Sequence, residues 1–296
     1  MYPLDYIDPV FRPPSEARSL ILQVTNGCSW NRCTFCEMYT EPQKRFSPQS
    51  LEQLEQQVAA LVRAGYPVRR VFLADGDAMT LSVRRLTEIL QMIRRYYPDV
   101  QRVSAYCLPR NLKNKSAEDL QQLRELGLSL LYVGCESGDD EVLARVEKGE
   151  TFESSRQALE KIHAAGMQSS VMILNGLGGT ELSEQHAMES ARLMNATQPH
   201  FLSVLVVTFP TGMERHASGF EGRFRPLSQH QSVQELQLLL QQLQLDKTIF
   251  RSDHASNYLV LKGILGRDKA ALLQQVELAL HRPDLVPLRE EWQRSF

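Results

Sequence analysis

Short apolar runs alternate with amphipathic stretches over the first two thirds of the chain. The runs fall at Ser19 to Val24, Arg70 to Ala74, Arg102 to Cys107, Ser129 to Cys135, Ser169 to Leu174 and Phe201 to Val207. They have the length of buried strands. Between them apolar residues recur at helical spacing, with Leu51, Leu54, Val58, Leu61 and Val62 on one face and Val83, Leu86, Leu90, Ile93 and Tyr97 on another. Ser82 and Ser116 signal helix starts, the second with Asp119 in a capping-box arrangement, and Gly65, Pro98 and Gly127 signal stops. Strands alternating with helices predict repeated βα units on a parallel sheet. Six such units are too few to close as eight do. The expected fold class is therefore α/β, an open partial (βα)6 TIM-like barrel with ligands gathered at the C-terminal ends of its strands.

The pattern changes after residue 207 to a loop rich in Gly, Arg and Pro, a Gln/Leu-rich helix from Ser232 to Leu243, a short segment near Phe250 and a last helix from Asp268 to His281. No charged linker or repeat isolates a further domain. The expected organisation is an N-terminal extension over 1–18, the barrel over 19–210, and a C-terminal helical extension over 211–296 that packs on the barrel and covers one end of it.

Composition narrows the class. The chain has 296 residues and a formal charge of −2, which gives no global pull toward nucleic acid or membrane. It shows no signal-peptide pattern and no apolar run of spanning length, so a soluble cytoplasmic protein is expected. Its five cysteines are clustered three plus one plus one. Metal binding in a reducing compartment accounts for that better than a disulfide framework.

The cluster of three is Cys28, Cys33 and Cys36, in the loop directly after the first predicted strand. Three thiolates are one ligand short of a closed site. A cubane iron–sulfur cluster held by three cysteines leaves one iron free to bind a reactant. A structural zinc site would need a fourth Cys or His at short spacing, and none appears. Iron–sulfur, zinc and unliganded core cysteines are the three readings of this loop.

The motif resembles that of the radical S-adenosylmethionine superfamily, whose usual signature is CxxxCxxC with an aromatic residue before the last cysteine. Phe35 supplies the aromatic, while the first gap holds four residues instead of three. The resemblance implies a [4Fe–4S] cluster on Cys28, Cys33 and Cys36. It also implies S-adenosylmethionine chelated at the open iron and cleaved by one electron to methionine and a 5′-deoxyadenosyl radical.

The other strand ends extend the resemblance. Asp75, Gly76 and Asp77 stand where the superfamily usually has a Gly-Gly-Glu motif that holds the methionyl ammonium; the plain reading is an Asp-Gly turn with solvated acids. Arg110, in a basic loop after the third strand, could receive a carboxylate of the cofactor or of a substrate, or be solvated. Glu136 and Ser137 lie in a Gly-x-Glu-Ser-Gly run similar to that of the branch of oxygen-independent coproporphyrinogen dehydrogenases, methylthiotransferases and the elongator catalytic subunit. There the glutamate takes the ribose hydroxyls; Ser137 or the Asp residues after it could also cap a helix. Asn175 and Gly176 open a glycine-rich turn that lets backbone approach a flat ligand edge, in the position of the superfamily's glycine motif beside the adenine. Cys107 is either a reactive thiol or a small buried hydrophobe, and His254 and Tyr258 either serve a substrate or close a C-terminal turn.

With only Cys107 and Cys135 left over, a second cysteine-bound cluster is not expected, nor is a basic RNA-binding module. The expected function is a stand-alone radical enzyme reduced by a flavodoxin or ferredoxin, abstracting hydrogen from a small molecule and not from a nucleic acid. Two alternatives are an iron–sulfur redox sensor or carrier without catalysis, and a zinc-stabilised binding barrel.

Overall fold

The computed structural model describes residues 4–294. All six expected strands form, as β1 (Leu20–Gln23), β4 (Arg70–Ala74), β5 (Arg102–Cys107), β6 (Leu128–Glu136), β7 (Gln168–Asn175) and β8 (Phe201–Val206). A two-residue ladder, β2 (Thr25–Asn26) with β3 (Ser47–Pro48), flanks the cysteine loop. Two further strands, β9 (Ile249–Ser252) and β10 (Leu261–Ile264), occupy the region expected to hold only a short segment near Phe250. The eight larger strands form one sheet in the order β1-β4-β5-β6-β7-β8-β9-β10. The extension after residue 210 is therefore not only helical, since it adds two strands to that sheet.

The chain divides into two compact units, Met1–Asn31 with Cys36–Val133 and Glu160–Ser169, and Arg32–Phe35 with Gly134–Leu159 and Ser170–Phe296. In the first, β1, β4 and β5 run parallel, with Leu22 opposite Leu73 and Phe72 opposite Ser104. Helices α1 (Leu51–Arg63), α2 (Val83–Tyr96) and α3 (Ala117–Glu125) start at Ser50, Ser82 and Ser116, each of whose side chains accepts from a backbone N–H of the first turn. Their apolar faces supply the buried Leu54, Val58, Leu61, Leu86, Ile89, Leu90 and Ile93.

The N-terminal segment is tied to this unit by polar contacts. Tyr6 donates to the Ile21 carbonyl at 2.8 Å and Ile7 N–H to Gln23 Oε1 at 2.9 Å. Glu16, fully buried, accepts from Arg102 (2.7 Å), Ser104 (3.0 Å), Tyr132 (2.7 Å) and Ser19. One carboxylate thus links β5 and β6 to the segment before β1.

In the second unit β7, β8 and β9 run parallel, with Val171 opposite Leu202 and Leu202 opposite Phe250, and β10 returns antiparallel to β9. Its helices are α4 (Asp140–Arg145), α5 (Phe152–Ala164), α6 (Gly179–Thr197), α7 (Glu214–Ser218), α8 (Gln229–Gln242) and α9 (Leu265–His281); the last residues of α5 fall in the first unit. Helix α8 packs between α6 and α9. No helix among the described residues is long and apolar enough to cross a membrane.

Glu16→Ala strips Arg102, Ser104 and Tyr132 of their shared acceptor and is expected to cost about 3 kcal/mol. Urea denaturation measures this, and an unchanged midpoint would show that Glu16 does not hold the N-terminal segment in place.

Candidate functional site

The cysteine loop is positioned by the strand end beside it. The Ser29 N–H donates to Asp77 Oδ1 at 3.0 Å and the Ser29 hydroxyl to Asp77 Oδ2, which fixes the residue after Cys28. The Gly76 N–H donates to the Gly27 carbonyl at 3.1 Å. A Cβ on Gly76 would sit 2.9 Å from the Cys28 Cβ and 2.7 Å from the Tyr39 ring, so only glycine allows this approach. Asp75, fully buried, pairs with the equally buried Lys44 and accepts from Gln23 at 3.2 Å. Lys44 also donates to the Ile7 carbonyl at 2.8 Å. Both carboxylates expected to face a bound ammonium are thus engaged by the protein itself.

Burial raises the pKa of Asp75 and of Asp77. Lys44, Gln23 and Tyr39 pull the first back, and Ser29, Asn111 and Arg110 the second. The Arg110 guanidinium stacks on Trp30, 3.6 Å from its ring centroid, so it braces the same loop. Cys107 is buried and donates to the Leu108 carbonyl at 3.3 Å, the arrangement of a small core residue.

In the second unit the segment Arg32–Phe35 is held separately. Thr34 N–H donates to the Val146 carbonyl at 3.0 Å, and the Thr34 hydroxyl lies 3.2 Å from His216 Nδ1. His216 Nε2–H donates to the Leu177 carbonyl at 3.1 Å, which leaves Nδ1 to accept from Thr34. Phe209, Phe220 and Phe224 surround the imidazole, and burial lowers its pKa to about 4, so it is neutral. Phe35 packs against the apolar cluster of Val142, Val146, Leu177 and Phe224.

Glu136 ends β6 with a positive φ of 65° and forms an ion pair with buried Lys148 at 3.1 Å. Lys148 is held charged, its pKa raised against burial by Glu136 and then by Cys33. A Cβ on Gly134 would lie 2.3 Å from Glu136 Oε1, so the carboxylate folds over a glycine. Of the two expected caps it is the acid after Ser137, Asp139, that caps α4, accepting from Val142 N–H at 2.8 Å. The Ser137 hydroxyl instead meets His186 Nδ1 at 2.8 Å. Asn175 donates to the Ser232 carbonyl at 2.8 Å, and Gly176, at φ +84°, donates its N–H to Glu235 Oε1 at 2.6 Å.

His254 and Tyr258 lie elsewhere in that unit, in a turn that fastens Arg289, Glu291 and Arg294. Tyr258 donates to Glu291 at 2.8 Å and accepts from Arg294 at 2.6 Å, while His254 Nδ1 meets the Ser256 hydroxyl at 2.9 Å. Lys44, His216, His186 and Glu235 carry no signal in the sequence: each is an isolated titratable residue far along the chain from what it holds. Lys148 stands close behind the Gly-x-Glu-Ser-Gly run, but the spacing alone does not name it as the partner of Glu136.

All five cysteines are thiols, with Cys28 and Cys36 part-exposed and Cys33 buried. Among the described residues no three His, Cys, Asp or Glu side chains are gathered as a single metal ion needs. A cubane asks for one thiolate at each of three irons, and the donor set, three soft thiols on a loop pinned on both sides of Cys28, fits that group.

Residues 22–194, more than half of the chain, match the family described as the Radical SAM superfamily. The heme chaperone HemW of Bacillus subtilis (strain 168) is 24% identical over 160 residues, 53% of this chain and 42% of that protein. The 4'-phospho-dehydrooxetanocin synthase of Priestia megaterium is 25% identical over 165 residues, 50% of this chain and 22% of that one. The chain therefore spans less than half the length of either relative. The coproporphyrinogen III oxidase HemN of Escherichia coli, a radical SAM enzyme, superposes with a TM-score of 0.59 at 19% identity, covering 76% of this chain and 52% of that one.

Two outcomes follow from these contacts. Lys44→Ala leaves Asp75 buried and unpaired and is expected to cost about 3 to 5 kcal/mol, part of which Asp75→Ala restores in the double variant. Strictly additive losses in urea denaturation would show that the pair does not couple. Glu235 ionises near pH 4.5 when unfolded but is raised by burial to about 7 in the fold. Its burial therefore costs stability increasingly as pH rises between those values and levels off above them. Glu235→Gln is expected to gain on wild type across that window, and a stability difference flat with pH would refute the assignment.

Proposed function

The chain belongs to the Radical SAM superfamily, and we propose on that premise that it works as an enzyme that abstracts hydrogen from a small organic substrate. The family uses a [4Fe–4S] cluster and S-adenosylmethionine, and its chemistry is the reductive cleavage of that cofactor. When bound, the cluster supplies the electron that this cleavage needs.

We assign Cys28, Cys33 and Cys36 to the cluster and Glu136 to the ribose hydroxyls, which a carboxylate facing a diol binds well. Lys148, paired with Glu136 at 3.1 Å, holds the carboxylate in one orientation. Asp75 and Asp77 we assign to holding the loop, since Lys44 pairs with the first and the Ser29 N–H and hydroxyl donate to the second. Asn175 and Gly176 offer backbone to the flat nucleoside. A flavodoxin or ferredoxin would deliver the electron. The observation that carries this reading is the loop of three thiols fastened by Asp77, Gly76 and Ser29.

The match to a heme chaperone motivates a second reading, in which the chain binds heme. A hemin titration that leaves the heme absorption spectrum unchanged sinks it.

After anaerobic reconstitution, dithionite with S-adenosylmethionine is expected to release 5′-deoxyadenosine, measured by liquid chromatography. An intact brown cluster that releases none leaves a sensor or carrier. Any one of the three cysteines changed to Ala is expected to lose the chromophore. Glu136→Gln is expected to keep it and weaken S-adenosylmethionine about tenfold, the worth of a hydrogen bond to a charged acceptor. Normal binding by that variant would remove Glu136 from the site.

A further inference from the structure

Two buried titratable side chains join the strand ends that carry Glu136 and Gly176, and neither belongs to a motif. His186, on α6, is 1% exposed, and Glu235, on α8, is 4% exposed, which places both away from solvent. The His186 ring donates to the Leu174 carbonyl near the end of β7, so its Nδ1 accepts from the Ser137 hydroxyl just past the end of β6. Ser137 Oγ in turn accepts from the Asp139 N–H at 3.0 Å. One neutral imidazole therefore spans the two strand ends.

Glu235 completes the arrangement from the other side. Its Oε1 accepts from the Gly176 N–H at 2.6 Å and its Oε2 from the Ser183 hydroxyl at 2.5 Å, and Oε1 stands 3.8 Å from His186 Nε2. The same peptide unit is held at its carbonyl, because the Val207 N–H donates to the Asn175 oxygen at 3.0 Å. The plane of the Asn175–Gly176 peptide is thus fixed at both edges. At φ +84° Gly176 has only weak preference of its own for this geometry, so the external partners decide it.

We propose that His186 and Glu235 are positioning residues for the nucleoside of S-adenosylmethionine, aligning the Glu136–Ser137 turn with the Gly176 turn, and that α8 is through Glu235 a working part of the cofactor site. The proposal rests on the reading of Glu136 and Gly176 given above. This role does not require a carboxylate, because an amide in its place accepts from Gly176 through its carbonyl and donates to Ser183 through its nitrogen.

The experiment is calorimetric titration of the reconstituted protein with S-adenosylhomocysteine, with iron content and Tm measured on the same samples. Glu235→Ala is expected to bind about tenfold more weakly at full cluster content, while Glu235→Gln binds within about twofold of wild type. Rescue by Gln separates alignment of the turn from a need for charge. An Ala variant that binds as wild type does, or a Gln variant as weak as Ala, overturns the proposal. Should Glu235→Ala not fold, His186→Leu carries the same test: it releases Ser137 while leaving Gly176 paired, and wild-type affinity overturns the proposal again. Failure of wild type itself to bind, with its cluster intact, refutes the enzyme reading and takes this inference with it; wild-type binding with an unaffected Ala variant refutes the inference alone.

Discussion

The cysteine loop depends on the buried Lys44–Asp75 ion pair and on the two residues that follow it. Taking two charges out of water costs more than their attraction returns unless geometry and further hydrogen bonds are good. Here burial dominates, since Asp75 is left with a raised pKa despite Lys44, Gln23 and Tyr39. An apolar pair of the same volume would hold this position with less desolvation cost. What the ion pair supplies is direction. Lys44 reaches Asp75 and the Ile7 carbonyl together, so the N-terminal segment, the loop after Cys36 and the end of β4 are fixed relative to one another. Gly76 and Asp77 then carry that placement to Gly27 and Ser29, on either side of Cys28.

A second hold acts on the same loop from different chemistry. His216 is neutral, enclosed by three phenylalanines, and uses its two ring nitrogens in opposite senses, one toward Thr34 and one toward Leu177. A charged lysine would be expensive among those rings, whereas a neutral imidazole offers a donor and an acceptor at small cost. The segment Arg32–Phe35 is thus restrained by a neutral ring within its own unit. Each kind of contact suits its surroundings.

The strands were legible because each buried run is continuously apolar and bounded by helix signals, as in Leu128–Glu136. β9 and β10 escaped because each is only four residues long and interrupts its apolar pattern with Arg251 or Lys262. The cysteines and the Glu136 run draw attention in the sequence because they stand close together at regular local spacing. The use of Asp75 was not, since its partner lies 31 residues away; nor was that of His216, which meets Thr34 across 182 residues. An Asp-Gly-Asp run reads alike whether its carboxylates face a ligand or a lysine. Local spacing cannot separate the two cases, because only the fold brings the competing cation to the carboxylate.

The groups around the strand ends share one electrostatic condition. In the second unit burial leaves His186 and His216 neutral and raises Glu235 to about 7, while Glu136 and Lys148 stay paired at 3.1 Å. Few net charges therefore stand in a region of low polarity, where each remaining one acts over a longer distance than it would in water. The Glu136–Lys148 pair is one such interaction, strengthened by its burial. The burial that shifts these pKa values comes from apolar packing, and around His216 it is built by the same phenylalanines and valines that hold α4 and α7 in place.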